Sequence, residues 1–351
     1  MKIFLIRTYQ PHWSAYTGIH QFIQYIDRSR FDIFEEVIDR RPSKNKPIRG
    51  AYRKLSDIIR IGGPTLYKIG DLIAEVKGIR STLTDGYDAV FYLDGEHSIH
   101  YLPKFFGKMK LLDKRPKIFA MFHQPPQKLS SLINLNLIKY LDCCIVLTSY
   151  QADFLSSYIP NEKIVVVPHG VNTDYFFPRR RRSEEHKFIC LSVGSWMRDY
   201  TTAFDVAGLL IEEKDIEFHI VSSSVEPPRG LKNVYMHRNI PDNELLMLYQ
   251  KASVLFMPLY DATANNVLLE ALSCGLPVIT SAIPGAREYL DKYSGMLVSN
   301  GKNSAFAHHI SDLYRNPDTL DKMRLAARSN ALKFSWPVVS SRIEEVLSKY
   351  A

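Results

Sequence analysis

Residues 261–281 read DATANNVLLEALSCGLPVITS. The segment NNVLLEALSC contains strong helix formers, and Gly275 followed by Pro277 is a helix stop signal. The β-rich runs SVLFMPL and PVITSA precede and follow this segment. The stretch therefore predicts a strand, a helix that begins near Asn265 or Asn266, and a second strand.

The same alternation extends in both directions along the 351-residue chain. On the N-terminal side, the β-rich runs are KIFLIR, AVFYLD, KIFAMF, CCIVLTS and KIVVVP, separated by helical stretches. The alternation stops at the turn-rich segment PHGVNTDYFFPRRRRSEEH and restarts with KFICLSVG and EFHIVSS. This pattern predicts two α/β domains, each with a parallel sheet covered on both faces, and a boundary near residues 168–186.

Composition narrows the class of protein. Hydrophobic residues make up 46% and charged residues 23%, which is typical of an ordinary globular protein. The first residues lack the apolar core of a secretory signal, and no apolar run approaches the roughly 20 residues of a membrane-spanning helix. We therefore expect a cytoplasmic protein whose four cysteines are buried thiols.

The helix of the opening stretch has the chemistry of an anion site. Its N-terminus offers free backbone N–H groups and a partial positive charge to a phosphate, and Asn265, Asn266 and Thr263 add side-chain donors. Glu270 follows Asn266 by four positions, on the same face and about 6 Å along the axis. A carboxylate there can accept from two ribose hydroxyls. The alternative is a structural helix with a solvent-facing glutamate.

Ordered segments of the second half resemble the family-4 glycosyltransferases. VLLEALSCGLPVITS resembles the donor-site motif of that family, and VVVPHGVNTDYFFP resembles its entry to the second domain. LSVGSWMRDY resembles its phosphate loop, RNIPDNELLMLYQKASVLFMPL its nucleobase side, and KFSWPVVSSRIEEVL its closing helix. The resemblance covers residues 163–345 and is weaker in the first half.

This resemblance implies the GT-B fold, in which two Rossmann-like domains face a central interdomain cleft. Residues 1–167 are then the acceptor domain, residues 168–333 the nucleotide-sugar donor domain, and residues 334–351 a helix that returns towards the first domain. The implied activity is retaining transfer of a sugar from a nucleotide-diphosphate donor to a hydroxyl of a glycan or a lipid-linked acceptor. The nucleotide-sugar is a co-substrate, and the resemblance implies neither a cofactor nor a metal.

Two glutamates seven residues apart flank the donor in this family, and here they are only partly present. Glu270 matches the second glutamate, which holds the ribose. The first falls at Ala262, and the glycine-containing turn after it is replaced by residues 263–265. Asp261 is the nearest carboxylate that can substitute, and the alternative is that backbone N–H groups hold the donor sugar.

The phosphate loop also departs from the family pattern. Ser195 and Tyr200 stand where an arginine and a lysine usually clamp the diphosphate. Arg198 lies between them and is the candidate that neutralises charge on the departing nucleotide. Ile240 matches the position that contacts the nucleobase, although Arg238 replaces a usual glycine there.

In the first half, the resemblance assigns Gly18 to a turn that lets the backbone approach phosphate or sugar. His123, at the end of KIFAMF, matches a histidine that reaches the donor sugar, and we predict a catalytic role for it together with Arg198. Asp94, Glu96 and His97 follow the run AVFYL and are candidates for acceptor binding. A plain hydrogen-bonded turn is the alternative.

Several other functions compete with this interpretation. The missing first glutamate and the altered phosphate loop suggest, as the alternative, a non-catalytic protein that binds a sugar-nucleotide or a glycan. A related epimerase or phosphorylase fits the donor helix less well, and the absence of GxGxxG after a strand argues against a dinucleotide oxidoreductase. Residues 40–80 carry eleven Lys or Arg against three carboxylates. That segment suggests peripheral contact with an anionic membrane. Nucleic-acid binding, which this segment and the run Arg179–Arg182 could also support, is not expected.

Overall fold

The computed structural model describes residues 1–9, 14–41, 46–109, 115–179 and 187–350, without the side chains of 46–48. Residues 42–45 of the basic segment and 180–182 of the arginine run therefore lie outside the described residues. The chain divides into two compact units. Unit 1 comprises Met1–Pro168 and Val339–Ala351, and unit 2 comprises His169–Val338. The donor and acceptor roles predicted for the two domains stay predictions.

Unit 1 is built on a six-stranded parallel sheet with the strand order β2-β1-β3-β4-β5-β6. Its strands are β1 Lys2–Tyr9, β2 Asp32–Asp39, β3 Ala89–Tyr92, β4 Lys117–Phe122, β5 Cys143–Val146 and β6 Ile164–Val166. Because all strands run the same way, their carboxyl ends share one edge of the sheet. In the register, the last residue of β1, Tyr9, lies beside Asp39 of β2.

Helices connect these strands. The α-helices of unit 1 are α1 Lys46–Ile59, α2 Ile69–Asp85, α3 Gly95–Ser98, α4 Tyr101–Lys108, α5 Pro126–Leu132 and α6 Ser149–Leu155. Short 3-10 helices span Ile19–Gln24, Leu135–Tyr140 and Asn161–Lys163. Helix α2 begins where the Asp71 carboxylate accepts from the Lys68 backbone N–H at 2.8 Å, and it ends at Gly86, whose φ of 66° is left-handed.

Unit 2 is a second six-stranded parallel sheet with the order β12-β11-β10-β7-β8-β9. Its strands are β7 Phe188–Val193, β8 Ile216–Val221, β9 Val234–His237, β10 Val254–Met257, β11 Val278–Ser281 and β12 Gly295–Val298. Counted from β7, this is the Rossmann order 3-2-1-4-5-6 read from the other edge. The strand order reverses between β7 and β10, and ligands of such sheets bind at that point.

The helices of unit 2 follow its strands. They are α7 Tyr200–Leu209, α8 Asp242–Lys251, α9 Asn266–Ser273, α10 Pro284–Tyr289, α11 Asn303–Arg315 and α12 Pro317–Leu332. The last helix, α13 Trp336–Ser348, contributes its first residues to unit 2 and its residues from Val339 onward to unit 1. Helix α9 begins as the sequence predicts, with Asn265 as the residue that precedes its first turn.

Both faces of the unit 2 sheet are buried. On β10, Leu255 and Met257 pack into the core that contains α9, whereas Val254 and Phe256 pack into a separate core beneath α7 and α11. Successive residues of a strand point to opposite faces, so a strand with two covered faces needs an unbroken apolar run. Each fully buried Leu or Phe contributes about 1.5–3 kcal/mol.

The predicted strands are confirmed, but three more were missed. These are β2, β9 and β12, and each forms an edge of its sheet. The predicted burial of the four cysteines is confirmed. Within the ranges that the structure covers, no helix is long and apolar enough to cross a bilayer.

One glycine sets the path of the loop between β10 and α9. A Cβ added at Gly285, in the first turn of α10, would lie 2.5 Å from the Thr263 carbonyl oxygen and nearer still to that of Ala262. Since these neighbours are backbone atoms, they cannot turn away as a flexible side chain would. The loop that carries residues 261–265 therefore depends on the absence of a side chain at position 285.

We expect Gly285→Ala to lower the free energy of unfolding by about 2 kcal/mol or more, because it forces backbone atoms apart. The measurement is urea denaturation followed by circular dichroism. Gly208→Ala is the matched control. Gly208 lies in helix α7, and its added methyl would meet only the Leu231 side chain, at 3.7 Å. The control should be neutral or slightly stabilising. Equal stability of the two variants would contradict this packing.

Candidate functional site

Two loops of unit 2 meet where the strand order reverses. The loop after β7 and the loop after β10 are joined by an isolated bridge between Arg198 and Leu259. The Asp199 N–H donates to the Pro258 carbonyl at 2.9 Å, and the Tyr260 N–H donates to the Met197 carbonyl at 3.0 Å. Backbone hydrogen bonds therefore fix the position of the phosphate-loop residues relative to the start of α9.

The loop after β7 turns sharply to make this contact. Gly194 has a φ of 92°, and Met197 has a φ of 59°, which is uncommon for a residue with a side chain. A Cβ at Gly194 would lie 3.1 Å from the Arg198 guanidinium. The Tyr200 hydroxyl donates to the Gly194 carbonyl. Tyr200 thus stabilises the loop, and it stands at the position where the family has a lysine.

Arg198 is held by three hydrogen bonds. Its Nε donates to the Val193 carbonyl and its Nη1 to the Trp196 carbonyl, both at 2.9 Å, and its Nη2 reaches Asn265 Oδ1 at 3.4 Å. Burial lowers the pKa of this guanidinium, which the negative charge of Glu270 partly offsets. The structure therefore brings Arg198 to Asn265 and Glu270 of the α9 segment, although Arg198 lies far from both in the sequence.

Helix α9 presents its N-terminus to the same place. Asn265 precedes the first turn, and its side chain makes no hydrogen bond to the backbone N–H groups of that turn. Its amide oxygen instead accepts from Arg198. Asn266 is half-buried in the first turn, and Thr263 is buried just before it. The first backbone N–H groups of α9 are thus the kind of donors that a phosphate accepts from.

Glu270 is buried with 4% of its surface exposed, so the alternative of a solvent-facing glutamate is wrong. Its Oε2 accepts from the Tyr249 hydroxyl at 2.8 Å. Burial raises the pKa of Glu270 to about 7, and the Tyr249 bond only partly offsets that rise. Tyr249, on α8, was missed because a tyrosine in an amphipathic helix gives no signal of a polar partner.

The other donor-site candidates surround these residues. Asp261 is half-buried and its Oδ1 accepts from the Ala262 N–H at 2.8 Å. Ser195 is exposed, with its hydroxyl 3.1 Å from that of Ser222, a residue that the sequence did not suggest. Ile240 is half-buried two residues before the start of α8. The binding roles predicted for Asp261, Ser195 and Ile240 stay predictions.

Unit 1 has its own polar cluster at the carboxyl ends of β3 and β4. Asp94 is buried, and one of its oxygens accepts from the Thr8 N–H at 2.8 Å. Glu96 is 1% exposed and accepts from the His123 N–H at 3.2 Å. Burial raises the pKa of Glu96 to about 7. Both carboxylates hold backbone here, and their predicted acceptor contacts stay predictions.

Two histidines complete this cluster. His123 Nε2 lies 2.6 Å from the Leu93 carbonyl, so that nitrogen carries the proton and donates to it. His97 has a buried Nδ1 without a hydrogen-bond partner among the described residues. Burial and the Arg40 charge lower the pKa of His97 to about 4, so its ring is neutral at pH 7. A neutral ring nitrogen can accept a hydrogen bond from a ligand hydroxyl.

Gly18 has a φ of 98° and precedes the 3-10 helix Ile19–Gln24. A side chain would be strained at this φ, which supports the glycine turn predicted there. Across all described ranges, no group of three His, Cys, Asp or Glu side chains is placed to hold a metal ion.

Comparison with known proteins adds a family match. Residues 188–316, which include most of unit 2, match the family model described as "Glycosyl transferases group 1". This range contains Arg198, Tyr249, Asn265 and Glu270, and thus the polar residues that the structure brings together.

Curated relatives carry the same kind of name. The D-inositol 3-phosphate glycosyltransferase of Arthrobacter sp. (strain FB24) is 28% identical over 221 residues, which make up 54% of this chain and 49% of the relative. That of Streptomyces bingchenggensis is 31% identical over 240 residues, 59% of this chain and 53% of the relative. The chain thus spans about half the length of these relatives.

Solved structures match along almost the whole chain. The lipopolysaccharide outer core galactosyltransferase WaaB in its apo form matches with a TM-score of 0.72 at 18% identity, covering 99% of this chain and 100% of that one. Anabaena Alr3699/HepE in complex with UDP-glucose matches with a TM-score of 0.67 at 13% identity, covering 99% of each chain. At such identities the likeness shows the fold.

The two parallel sheets and these neighbours define the GT-B fold class. The group 1 match in unit 2 and the curated relatives support a glycosyltransferase of the family-4 type. The fold class and the family that the sequence motifs predicted are both confirmed.

The raised pKa of Glu270 makes stability depend on pH. The folded state holds this proton up to about pH 7, whereas an unfolded glutamate loses it near 4.5, so the folded state binds more protons between these values. The free energy of unfolding should therefore fall as pH rises from 4.5 to 7, by about 3 kcal/mol from this group.

Urea denaturation at pH 5 and pH 8 checks this expectation. Glu270→Gln should reduce the loss of stability between the two pH values by about 3 kcal/mol relative to wild type. Glu212→Gln, at an exposed position of unit 2, is the matched control and should leave the loss unchanged. The raised pKa of Glu96 also lowers stability as pH rises, but it does so equally in all three proteins. Parallel pH profiles for all three proteins would exclude a buried, neutral Glu270.

Proposed function

We propose that this protein is a retaining glycosyltransferase that moves a sugar from a nucleotide-diphosphate donor to a hydroxyl acceptor during glycan assembly. The observation that carries this proposal is the arrangement in unit 2, where Arg198, Asn265 and Glu270 meet at the strand-order reversal. The first two suit a diphosphate and the third suits a ribose.

We assign the diphosphate to the N-terminus of α9 and to Arg198. Free backbone N–H groups, the helix dipole and a guanidinium all favour a bound anion. When the bond between the sugar and the phosphate breaks, negative charge grows on the phosphate oxygens. Arg198 is already held in place by backbone carbonyls, so stabilising that charge requires no reorganisation.

We assign the ribose to Glu270. Its carboxyl group is neutral below about pH 7, and two ribose hydroxyls would supply donors that stabilise the ionised form. Tyr249 is a positioning residue, because its hydroxyl fixes one carboxyl oxygen and leaves Oε1 for the ligand. Three residues at or just before the start of α9 are proposed to contact the donor, namely Asp261, Thr263 and Asn266.

The chemistry that we propose needs no nucleophile from the protein. The acceptor oxygen bonds to the anomeric carbon on the face that the phosphate leaves, and the acceptor proton passes to a phosphate oxygen. The configuration of the sugar is thereby retained. By resemblance to the family, His123 takes part in this reaction and the acceptor binds to unit 1. We expect no metal, because Arg198 and the N-terminus of α9 supply the positive charge.

The names of similar proteins suggest which ligands to test first. Alr3699/HepE has been solved with UDP and with UDP-glucose, which favours a uridine nucleotide. The curated relatives are named for D-inositol 3-phosphate, an acceptor that carries a phosphate. Binding without catalysis is the alternative that Ala262 suggests, but the arrangement of Arg198, Asn265 and Glu270 in unit 2 favours transfer.

Calorimetric titration with UDP, GDP, ADP and CMP tests the donor site. One nucleoside diphosphate should bind saturably, and Glu270→Ala and Arg198→Gln should each weaken that binding tenfold or more, because each removes a charged hydrogen-bonding group. Glu212→Ala is the exposed control and should bind like wild type.

Release of nucleotide from the matching nucleotide-sugar, with and without EDTA, then tests turnover and its independence of a metal. If wild type binds none of the four nucleotides, the donor assignment is wrong. If a nucleotide binds but no tested nucleotide-sugar turns over with any acceptor, the non-catalytic alternative is favoured.

A further inference from the structure

A cavity of about 550 Å³ lies in unit 1 at the carboxyl end of β2. Its walls come from the end of β2, from α1, from the segment 60–68 and from the start of α2. Binding pockets for small molecules span roughly 300–1,000 Å³. The cavity is therefore large enough for a small ligand.

The lining of this cavity is strongly cationic. Two carboxylates, Asp39 and Asp57, face six cationic side chains. The cations are Arg40, Arg41, Arg49, Arg53, Arg60 and Lys68. The charge excess that the sequence shows for residues 40–80 is thus concentrated around one cavity rather than spread over a face.

Half of these cations are neutralised by neighbours. Arg41 pairs with Asp39, Arg60 pairs with Asp57 at 3.0 Å, and Arg40 pairs with the buried Asp71 at 2.5 Å. These pairs satisfy the carboxylates around the cavity. They leave the remaining three cations to face it.

Arg49, Arg53 and Lys68 have no ion-pair partner within the part of the chain that the structure describes. Arg49 and Arg53 lie four residues apart on one face of α1. Like charges at this spacing repel and destabilise a helix unless an anion lies between them. A ligand with several anionic oxygens would remove that repulsion.

Buried hydrogen-bonding groups line the inner wall. Tyr67 is 1% and Ser56 is 6% exposed, and the Tyr67 hydroxyl already donates to Glu75. The Nε of Arg40 is buried and lacks a hydrogen-bond partner among the described residues. A buried donor without an acceptor costs free energy, so this N–H favours an acceptor supplied by a ligand.

The cavity is connected to the residues predicted to bind the acceptor. Asp71 accepts from Arg40 on the cavity wall and, with the same oxygen, from the Ser98 hydroxyl at 2.7 Å. Ser98 follows His97 in helix α3. The charges of Arg40 and Lys68 contribute to the lowered pKa of His97. The cavity and the α3 cluster also share the carboxyl edge of one sheet.

We propose that this cavity binds a phosphate group of the acceptor, so that the acceptor of this enzyme is phosphorylated. This inference rests on the proposed glycosyltransferase function. A phosphate offers three oxygens to two guanidinium groups and one ammonium group, and guanidinium matches it with paired hydrogen bonds. The volume beyond the phosphate leaves room for the sugar or headgroup that carries it.

Two sources supply this chemistry, namely a soluble sugar or polyol phosphate and a lipid headgroup. Glycerol 3-phosphate is the soluble probe, titrated into the full chain at constant ionic strength with sodium chloride as the compensating salt. Arg49→Gln combined with Arg53→Gln should weaken its binding tenfold or more, because two charged hydrogen-bonding groups are lost.

Arg80→Gln combined with Lys108→Gln is the matched control. Both residues are exposed in helices of unit 1 outside the cavity, and the net charge changes by the same amount. This double variant should bind the probe within twofold of wild type. Phenylglyoxal labelling read by peptide mass spectrometry locates the site, because the probe should protect Arg49 and Arg53 but not Arg80.

Flotation with phosphatidylcholine vesicles, with and without phosphatidic acid, distinguishes the sources. Binding of glycerol 3-phosphate that the cavity variant loses supports the proposal with a soluble acceptor. Binding only to phosphatidic acid vesicles, lost in the cavity variant and kept in the control, supports it with a lipid acceptor. Equal weakening in both double variants, or no binding of either probe, overturns it.

These measurements involve neither nucleotide nor turnover. Failure of the nucleotide titration would therefore refute the donor site without affecting the cavity result. If the wild-type protein binds a nucleotide but neither phosphate probe, the cavity proposal alone is refuted.

Discussion

A carboxylate buried in a protein core must be hydrogen-bonded or it becomes neutral, and this constraint organises unit 2. Glu270 is surrounded by the apolar residues of α9, accepts from the Tyr249 hydroxyl and feels the charge of Arg198. Arg198 in turn is fixed by carbonyls of the loop after β7 and reaches Asn265 at the start of α9. Glu270, Arg198 and the N-terminus of α9 are therefore one connected unit.

Unit 1 applies the same constraint to more carboxylates. Glu75 is fully buried and accepts from the hydroxyls of Tyr67 and Tyr92 and from backbone N–H groups at the start of α4. Asp71 links the cationic cavity to α3. These buried acids fix the loops that follow the strands, and a rigid arrangement of loops is what precise placement of an acceptor requires.

The sequence pattern predicted the central strands of both sheets and missed three of the four edge strands. Central strands such as β4 and β10 are apolar on both faces and gave unbroken apolar runs, whereas the edge strand β2 reads DIFEEVID and is half exposed. The position of Glu270 on α9 was predicted from the helix pattern, but its bond to Tyr249 was not, since helical spacing does not reveal which side chain an acid meets across a fold. The cavity was visible only as a charge excess, because its walls come from segments separated in sequence.

The central claim is that Glu270 holds the ribose of a nucleotide whose diphosphate lies at α9. A double-mutant cycle tests it most directly, using the nucleoside diphosphate that binds and its 2′,3′-dideoxy analogue on wild type and on Glu270→Ala. The account predicts that loss of the two hydroxyls weakens binding tenfold or more in wild type and hardly at all in Glu270→Ala. An equal penalty in both proteins would contradict it and place the ribose elsewhere.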